Sequence, residues 1–303
     1  MSHHDSSVKS ILFALLANLG IAITKTAAAI ITGSGAMLAE AIHSYADCGN
    51  QGLLFFGLKA AKKGPDAEHP LGYGKEIYFW SFIVALILFS MGGLFSVYEG
   101  IHKISAHEGL RSPMIAVAVL SLSLLLEAAS LWGCLTQIKK VKHNMSLWKW
   151  VKTSRQSELI VVLGEDTAAL LGLSFALIAV VLSVITGNPV FDAMGSIGIG
   201  VLLIIISFFL AYKVKSLLIG QSSDDETREQ ISRILEARPE IDHVLHLITI
   251  QLGPRIMVAV KARMKASGSV DELIGAINLC EAALKEANPD IQWVFFEPDV
   301  TDE

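Results

Sequence analysis

Six long apolar stretches, at about residues 10–32, 36–58, 77–100, 114–138, 159–185 and 190–211, constrain this chain more than any other feature. A helix needs about 20 mostly apolar residues to cross about 30 Å of hydrocarbon, and each stretch is long enough. Helices of soluble domains average about three to four turns, so these are too long to be ordinary core helices. A transmembrane β-barrel would need shorter segments of alternating apolarity, which the chain lacks. Composition agrees, since the 303 residues are 52% hydrophobic and 17% charged, whereas soluble domains carry about a quarter charged residues. A net charge of −5 argues against nucleic acid as a partner, because such proteins present basic surfaces.

Lys and Arg accumulate on the cytoplasmic side of membrane proteins. Lys9, Lys59, Lys62, Lys63, Lys75, Lys139, Lys140, Lys142, Lys149, Lys152, Arg155, Lys213 and Lys215 fall on one side of a six-span arrangement, and Lys103 and Arg111 on the other. Both termini are therefore expected in the cytoplasm, with a bacterial inner (plasma) membrane as the host. Residues 1–7 lack a basic segment followed by a cleavage site, so no removable signal peptide is expected.

Past residue 219 the character changes. Residues 220–303 carry 16 acids and 8 bases, against 13 acids and 16 bases before them, which predicts a membrane domain over 1–219 and a cytoplasmic domain over 220–303. Ser223 with Glu226, and Ser269 with Glu272, have capping-box spacing and each should open a helix. Residues 243–251 and 256–264 read as strands joined by a turn at 252–255, and 291–296 as a third strand. The order αββαβ predicts a small α+β, ferredoxin-like domain with helices on one face of its sheet. The expected fold is thus an α-helical membrane protein with six transmembrane helices and this appended domain. Cys48, Cys134 and Cys280 form no CxxC pair and imply neither disulfides nor a thiolate zinc site.

Ionisable groups in hydrocarbon cost about 2.5 kcal/mol or more each, so every one is a candidate for function. Glu40, His43 and Asp47, at i, i+3 and i+7, share one face of the second helix. An imidazole and a carboxylate one turn apart can hold one divalent ion, and zinc accepts that mixture of nitrogen and oxygen. A packing pair is the alternative. Other helices must complete a shell: the fifth offers Glu165 and Asp166, of which one can face a given partner, the fourth offers Glu127, and the first Asn18 and Lys25. Lys25 reads as a counter-charge, with Glu127 as one candidate partner.

These residues resemble the cation diffusion facilitators, the family that includes the zinc transporters. The likeness rests on six apolar stretches, Gly33 and Ser34 ahead of His43 and Asp47, and His69, Gly72, Gly74 and Lys75 leading into the third stretch. It continues through Asp166, Asp192 and the αββαβ tail. His69–Lys75, Glu165 to Thr167 and residues 217–220 look most like the zinc transporter nine branch. The resemblance implies a homodimer that exchanges a divalent cation, zinc above others, for protons, with no cofactor beyond the transported ion. It assigns His43, Asp47 and Asp166 as metal ligands, and places Val162, which cannot ligate, where a fourth is expected. Glu165, Glu127 or water would then complete the shell. A second family site in the loop between the second and third helices matches at Asp66 and His69, with Tyr73 in place of a histidine; a plain polar loop is the alternative. Positions that bind metal between two tails hold Leu245, Lys261, Phe295 and Glu297, so tail dimerisation would rely on apolar surface.

An intramembrane enzyme is the weakest rival, since the helices contain no HExxH, no GxSxG and no adjacent nucleophile and base. A non-transporting metal sensor or scaffold, or a transporter of manganese, iron or cobalt, is the alternative that the missing fourth ligand supports.

Overall fold

A computed structural model describes residues 3–106, 112–142, 145–266 and 268–301, without the side chains of residues 3–17 and 106. Arg111, the side chain of Lys9 and the first two residues of the N-terminal segment lie outside this description. Two compact units are present, one formed by residues 1–57, 80–144 and 158–214, the other by 58–79, 145–157 and 215–303.

The first unit is helical. It contains α1 (His3–Thr32), most of α2 (Gly35–Ala60), most of α3 (Glu76–Ile87) continuing through a π-helical segment (Leu88–Leu94) into α4 (Phe95–Ala106), then α5 (Pro113–Val141) and most of α7 (Ser157–Thr186) and α8 (Val190–Ile219). Among the described residues, four helices are long and apolar enough to cross a membrane: Glu76–Ser105, Pro113–Val141, Ser157–Thr186 and Val190–Ile219. The described apolar part of α1, Asn18–Thr32, is shorter. Helix α2 carries Glu40, His43, Asp47 and Asn50, which lower its hydropathy and are the reason it stands apart from those four. Large apolar side chains such as Ile30, Leu125, Trp132, Ile178 and Phe208 are exposed on the bundle, an outside suited to lipid.

The third apolar stretch reads as one unbroken helix in sequence, yet its middle is π-helical. Gly92 and Gly93 lie there, and α8 packs closely: an added Cβ on Gly93 would stand 2.6 Å from Ile204, and one on Gly200 2.7 Å from the Gly93 carbonyl. The Gly92 carbonyl accepts from the Phe95 N–H and from Ser96 Oγ at 2.6 Å, so the widened turn is satisfied. Such segments concentrate at functional sites.

The start of α2 is pinned. Gly33 turns the chain at φ 71°, and Asp192, near the start of α8, accepts from Ser34 Oγ at 2.6 Å and from the Gly35 N–H at 2.8 Å. Asp192 thereby satisfies one orphan donor of that helix N-terminus, the Gly35 N–H, and Ser34 Oγ satisfies another by accepting from the Met37 N–H at 3.1 Å.

In the second unit α9 (Asp225–Glu236), β1 (Ile241–Leu252), β2 (Arg255–Met264), α10 (Val270–Ala287) and β3 (Ile291–Pro298) follow the expected αββαβ order. The sheet has order β1-β2-β3, antiparallel between β1 and β2 and parallel between β2 and β3. Ile231 and Leu235 of α9 and Cys280 and Leu284 of α10 pack with Ile241, Val258, Val260 and Ala262 into one core, so both helices cover the same face. Gly253 at φ 64° makes the two-residue hairpin turn. Ser269 caps α10 as expected, accepting from the Glu272 N–H. The other cap is corrected by one residue: Asp224 caps α9 and accepts from the Thr227 N–H. Ser223 instead donates to Thr249 Oγ1 at 2.9 Å, where it ties the incoming chain to β1. A short helix without a strong sequence signal, α6 (Leu147–Thr153), is capped by Ser146.

Candidate metal centre

The apolar bundle surrounds a small polar cavity of about 40 Å³, lined by side chains of four helices. Helix α2 contributes Ser44, Asp47 and Gln51, α5 contributes Glu127 and Ser130, α7 contributes Val162, Glu165 and Asp166, and α1 contributes Asn18. That volume exceeds the ~10–15 Å³ that one water requires, so an ion with little remaining hydration would fit.

Helical spacing accounts for the convergence. Asp47 and Gln51 are one turn apart on α2, Glu127 and Ser130 nearly one turn apart on α5, and Val162 and Asp166 one turn apart on α7. Glu165 and Asp166 both reach the cavity because they turn to different neighbours. Asn50 Nδ2 donates to Glu165 Oε1 at 2.5 Å, while Ser130 Oγ donates to Asp166 Oδ1 at 3.3 Å. Each carboxylate is thus oriented by an uncharged donor, the arrangement that outer-shell partners give to metal ligands. Asp47 Oδ1, Asn50 Oδ1 and Asp166 Oδ2 are buried without a hydrogen-bond partner.

His43 is buried one turn from Asp47, its Nδ1 3.6 Å from Asp47 Oδ1, and neither ring nitrogen has a hydrogen-bond partner. It does not line the cavity. Among the described residues no three His, Cys, Asp or Glu side chains converge closely enough to hold a metal in this conformation. The structure therefore gathers Asp47, Glu127, Glu165 and Asp166 around one space and leaves His43 beside it.

Lys25 differs from expectation. Its partners are Glu40, at 3.3 Å, and Ser44, at 2.8 Å, rather than Glu127. Sequence reading did not single out Asn50, Ser130 or Ser44; the first two stand three residues beyond Asp47 and Glu127, a spacing that could have flagged them.

In the loop between α2 and α3, Asp66 is fully engaged. Lys63 Nζ at 2.9 Å and Tyr73 Oη at 2.8 Å share its Oδ2, and the Glu68 and His69 N–H groups donate to Oδ1. The hydrogen bonds from Lys63 and then Tyr73 hold its carboxyl well below the usual carboxylate range. His69 lies against the Tyr73 ring, centroids 4.1 Å apart. Asp66 and His69 are neighbours, with Nδ1 to Oδ1 3.7 Å, but both carboxylate oxygens already organise the loop.

On the uncovered face of the tail sheet, β2 places Ala259 beside Ile248 and Phe295, and Lys261 beside His246 and Glu297. Ile248 and Phe295 are 44% and 55% exposed. Lys261 Nζ pairs with Asp299 at 2.9 Å, so the tail position that would need a ligand carries a compensated ammonium.

Comparison with known proteins places these features in context. The cation efflux transmembrane domain matches residues 11–219. The human mitochondrial proton-coupled zinc antiporter SLC30A9 is 36% identical over 226 residues, covering 74% of this chain and 40% of that protein. Metal tolerance protein C4 of Arabidopsis thaliana is 32% identical over 225 residues, covering 74% and 49%. The magnetosome protein MamB of Magnetospira sp. (strain QH-2) is 28% identical over 190 residues, covering 63% and 60%. The chain thus spans about two fifths to one half of the length of the first two relatives.

Proposed function

The chain belongs to the cation efflux family, a family of membrane transporters rather than enzymes, and from that premise we propose that it moves a divalent cation, zinc above others, in exchange for protons. The observation that carries this reading is the set of four carboxylates, the buried Glu165 and the half-buried Asp47, Glu127 and Asp166, that line one cavity in the matched membrane domain. The zinc antiporter name of the human relative supports zinc as the cargo.

Asp47 and Asp166 are the central ligands in this reading, with His43 joining in a conformation that brings its free nitrogens to the cavity. Glu165 or Glu127 supplies the donor that Val162 cannot. A ligating carboxylate must be ionised and a ligating imidazole neutral, so metal and protons compete for the same lone pairs. Loading metal releases protons on one side, and acid on the other reverses the exchange. Gly93 and Gly200, where the π-helical segment meets α8 with no room for side chains, are suited to helices sliding past each other. We read α1 and α2 as the remaining two spans of six, residues 1–219 as the membrane domain and 220–303 as the cytoplasmic one. The Lys and Arg count supports both termini in the cytoplasm, and we read the host membrane as a bacterial plasma membrane.

Purified chain in liposomes should accumulate zinc against its gradient when a pH gradient is imposed, and collapse of the pH gradient should stop it. Val162 in the cavity wall is the one feature that favours a metal sensor or scaffold instead; zinc binding without flux would establish that alternative.

Two further expectations follow from the second unit. Asp66→Asn should leave zinc affinity of the full chain unchanged in a calorimetric titration, because Lys63 and Tyr73 already occupy that carboxylate. Its lowered value also fixes a sign: the clasp persists at pH above the ordinary carboxylate range and is lost only on stronger acidification. Dimers of the full chain, if held by the apolar sheet face around Ile248 and Phe295, should survive a zinc chelator in native mass spectrometry. Chelator-driven dissociation would mean that metal bridges the tails.

A further inference from the structure

Lys25 stands in the middle of an apolar helix, wholly buried, and its ammonium is bound by Glu40 Oε2 at 3.3 Å and Ser44 Oγ at 2.8 Å. Two acceptors one turn apart on α2 thus hold a cation in the bundle, and the cation is part of the chain. A buried pair of this kind seldom stabilises a fold more than apolar residues of the same size would, so stability alone is a weak reason for it. Its surroundings are also richer in donors than one ammonium uses. Glu40 Oε1 and both nitrogens of His43 are buried without hydrogen-bond partners. Helix α7 presents Gly172 to Glu40, where a Cβ would stand 2.6 Å from Oε1, so the space beside that oxygen exists only because no side chain fills it.

This corner adjoins the carboxylate cavity without belonging to it. Ser44 lines the cavity, whereas Glu40, His43 and Lys25 do not. Glu40 precedes Asp47 by seven residues on α2, which at 1.5 Å per residue places it about 10 Å along the helix; Gly172 follows Asp166 by six on α7. The two levels therefore succeed each other along the same pair of helices, with His43 between them.

We propose that Glu40 and Ser44, with His43, form a second divalent-cation position on the transport path, held in this conformation by the Lys25 ammonium and open to the cargo only when Lys25 leaves. The inference rests on the transport reading above. Lys25 then serves as a tethered competitor. It keeps the Glu40 carboxylate neutralised while the neighbouring cavity loads, and its return to Glu40 and Ser44 helps to expel the cargo. A path must bind an ion well enough to admit it and weakly enough to release it, and an ammonium on a flexible stem meets both needs.

The test is zinc binding to the detergent-purified full chain by equilibrium dialysis, comparing wild type, Lys25→Met, and Lys25→Met combined with Glu40→Gln. Wild type should take up a second, weaker zinc ion that the double variant lacks, and Lys25→Met should bind that ion at least tenfold tighter. Tightening that persists in the double variant would overturn the proposal, because Glu40 would not be the ligand. Identical binding by wild type and the double variant would also overturn it, and needs no folded Lys25→Met chain. Failure of wild type to bind any zinc would instead remove the transport reading, with Asp47→Ala as the reference for the first ion.

Discussion

Asp47→Ala should abolish zinc movement through the reconstituted chain, lowering the initial rate by more than about 100-fold, since even partners that merely orient a ligand change metal affinity by about 10–100-fold. Asp47 lines the cavity and its Oδ1 is buried with no hydrogen bond. Removing an ionisable group from such a place relieves a desolvation cost, so the variant should purify in normal yield and melt no earlier than wild type. The loss would then report on chemistry and not on folding. His43→Ala makes the comparison sharper, because His43 lies outside the cavity in this conformation. Equal loss in both variants means that the imidazole joins Asp47 elsewhere in the cycle. A normal rate for Asp47→Ala would remove the site assignment altogether.

Val162→His should have the opposite sign. Val162 stands one turn before Asp166 and faces the same cavity as Asp47 and Glu127, so an imidazole there adds a nitrogen donor to an otherwise oxygen-rich set. Zinc accepts such mixtures, whereas manganese is better served by carboxylates and water. Zinc affinity should rise about tenfold, worth about 1.4 kcal/mol, with little gain for manganese, as measured by competitive titration of the two metals. Transport should slow as release becomes harder. Unchanged zinc affinity would mean that Glu165 or Glu127 already completes the shell.

Much of this molecule is legible in the order of its residues because the relevant forces act locally. Apolar runs of sufficient length become long helices whatever surrounds them, and period-two alternation with a Gly–Pro turn becomes the β1–β2 hairpin. The placing of Asp47, Glu165 and Asp166 on helix faces follows from 3.6 residues per turn. Charge in an apolar segment marked every acid that the cavity gathers. The cap at Asp224 in place of Ser223 shows the limit of local reasoning, since both residues suit the position and the contact between Ser223 and Thr249 on β1 decides between them.

Partnership between helices is another matter, because sequence spacing carries no information about which faces meet. Lys25 could have served Glu127 or Glu40, and the packing of α1 against α2 assigns it to Glu40 and Ser44. Glu165 and Asp166 could not both face one neighbour, and only the arrangement of α2 and α5 around α7 lets one turn to Asn50 and the other to Ser130. Asp66 reads in sequence equally as a metal ligand and as part of a polar loop, and only the fold of the loop brings Tyr73, seven residues away, to its carboxylate. The sequence by itself determined that ionisable groups would stand inside an apolar bundle, because it sets which side chains each helix must carry. Only the tertiary structure decided which of those groups compensate one another and which keep buried atoms without a hydrogen-bond partner, because charge compensation depends on distances between segments far apart in the chain.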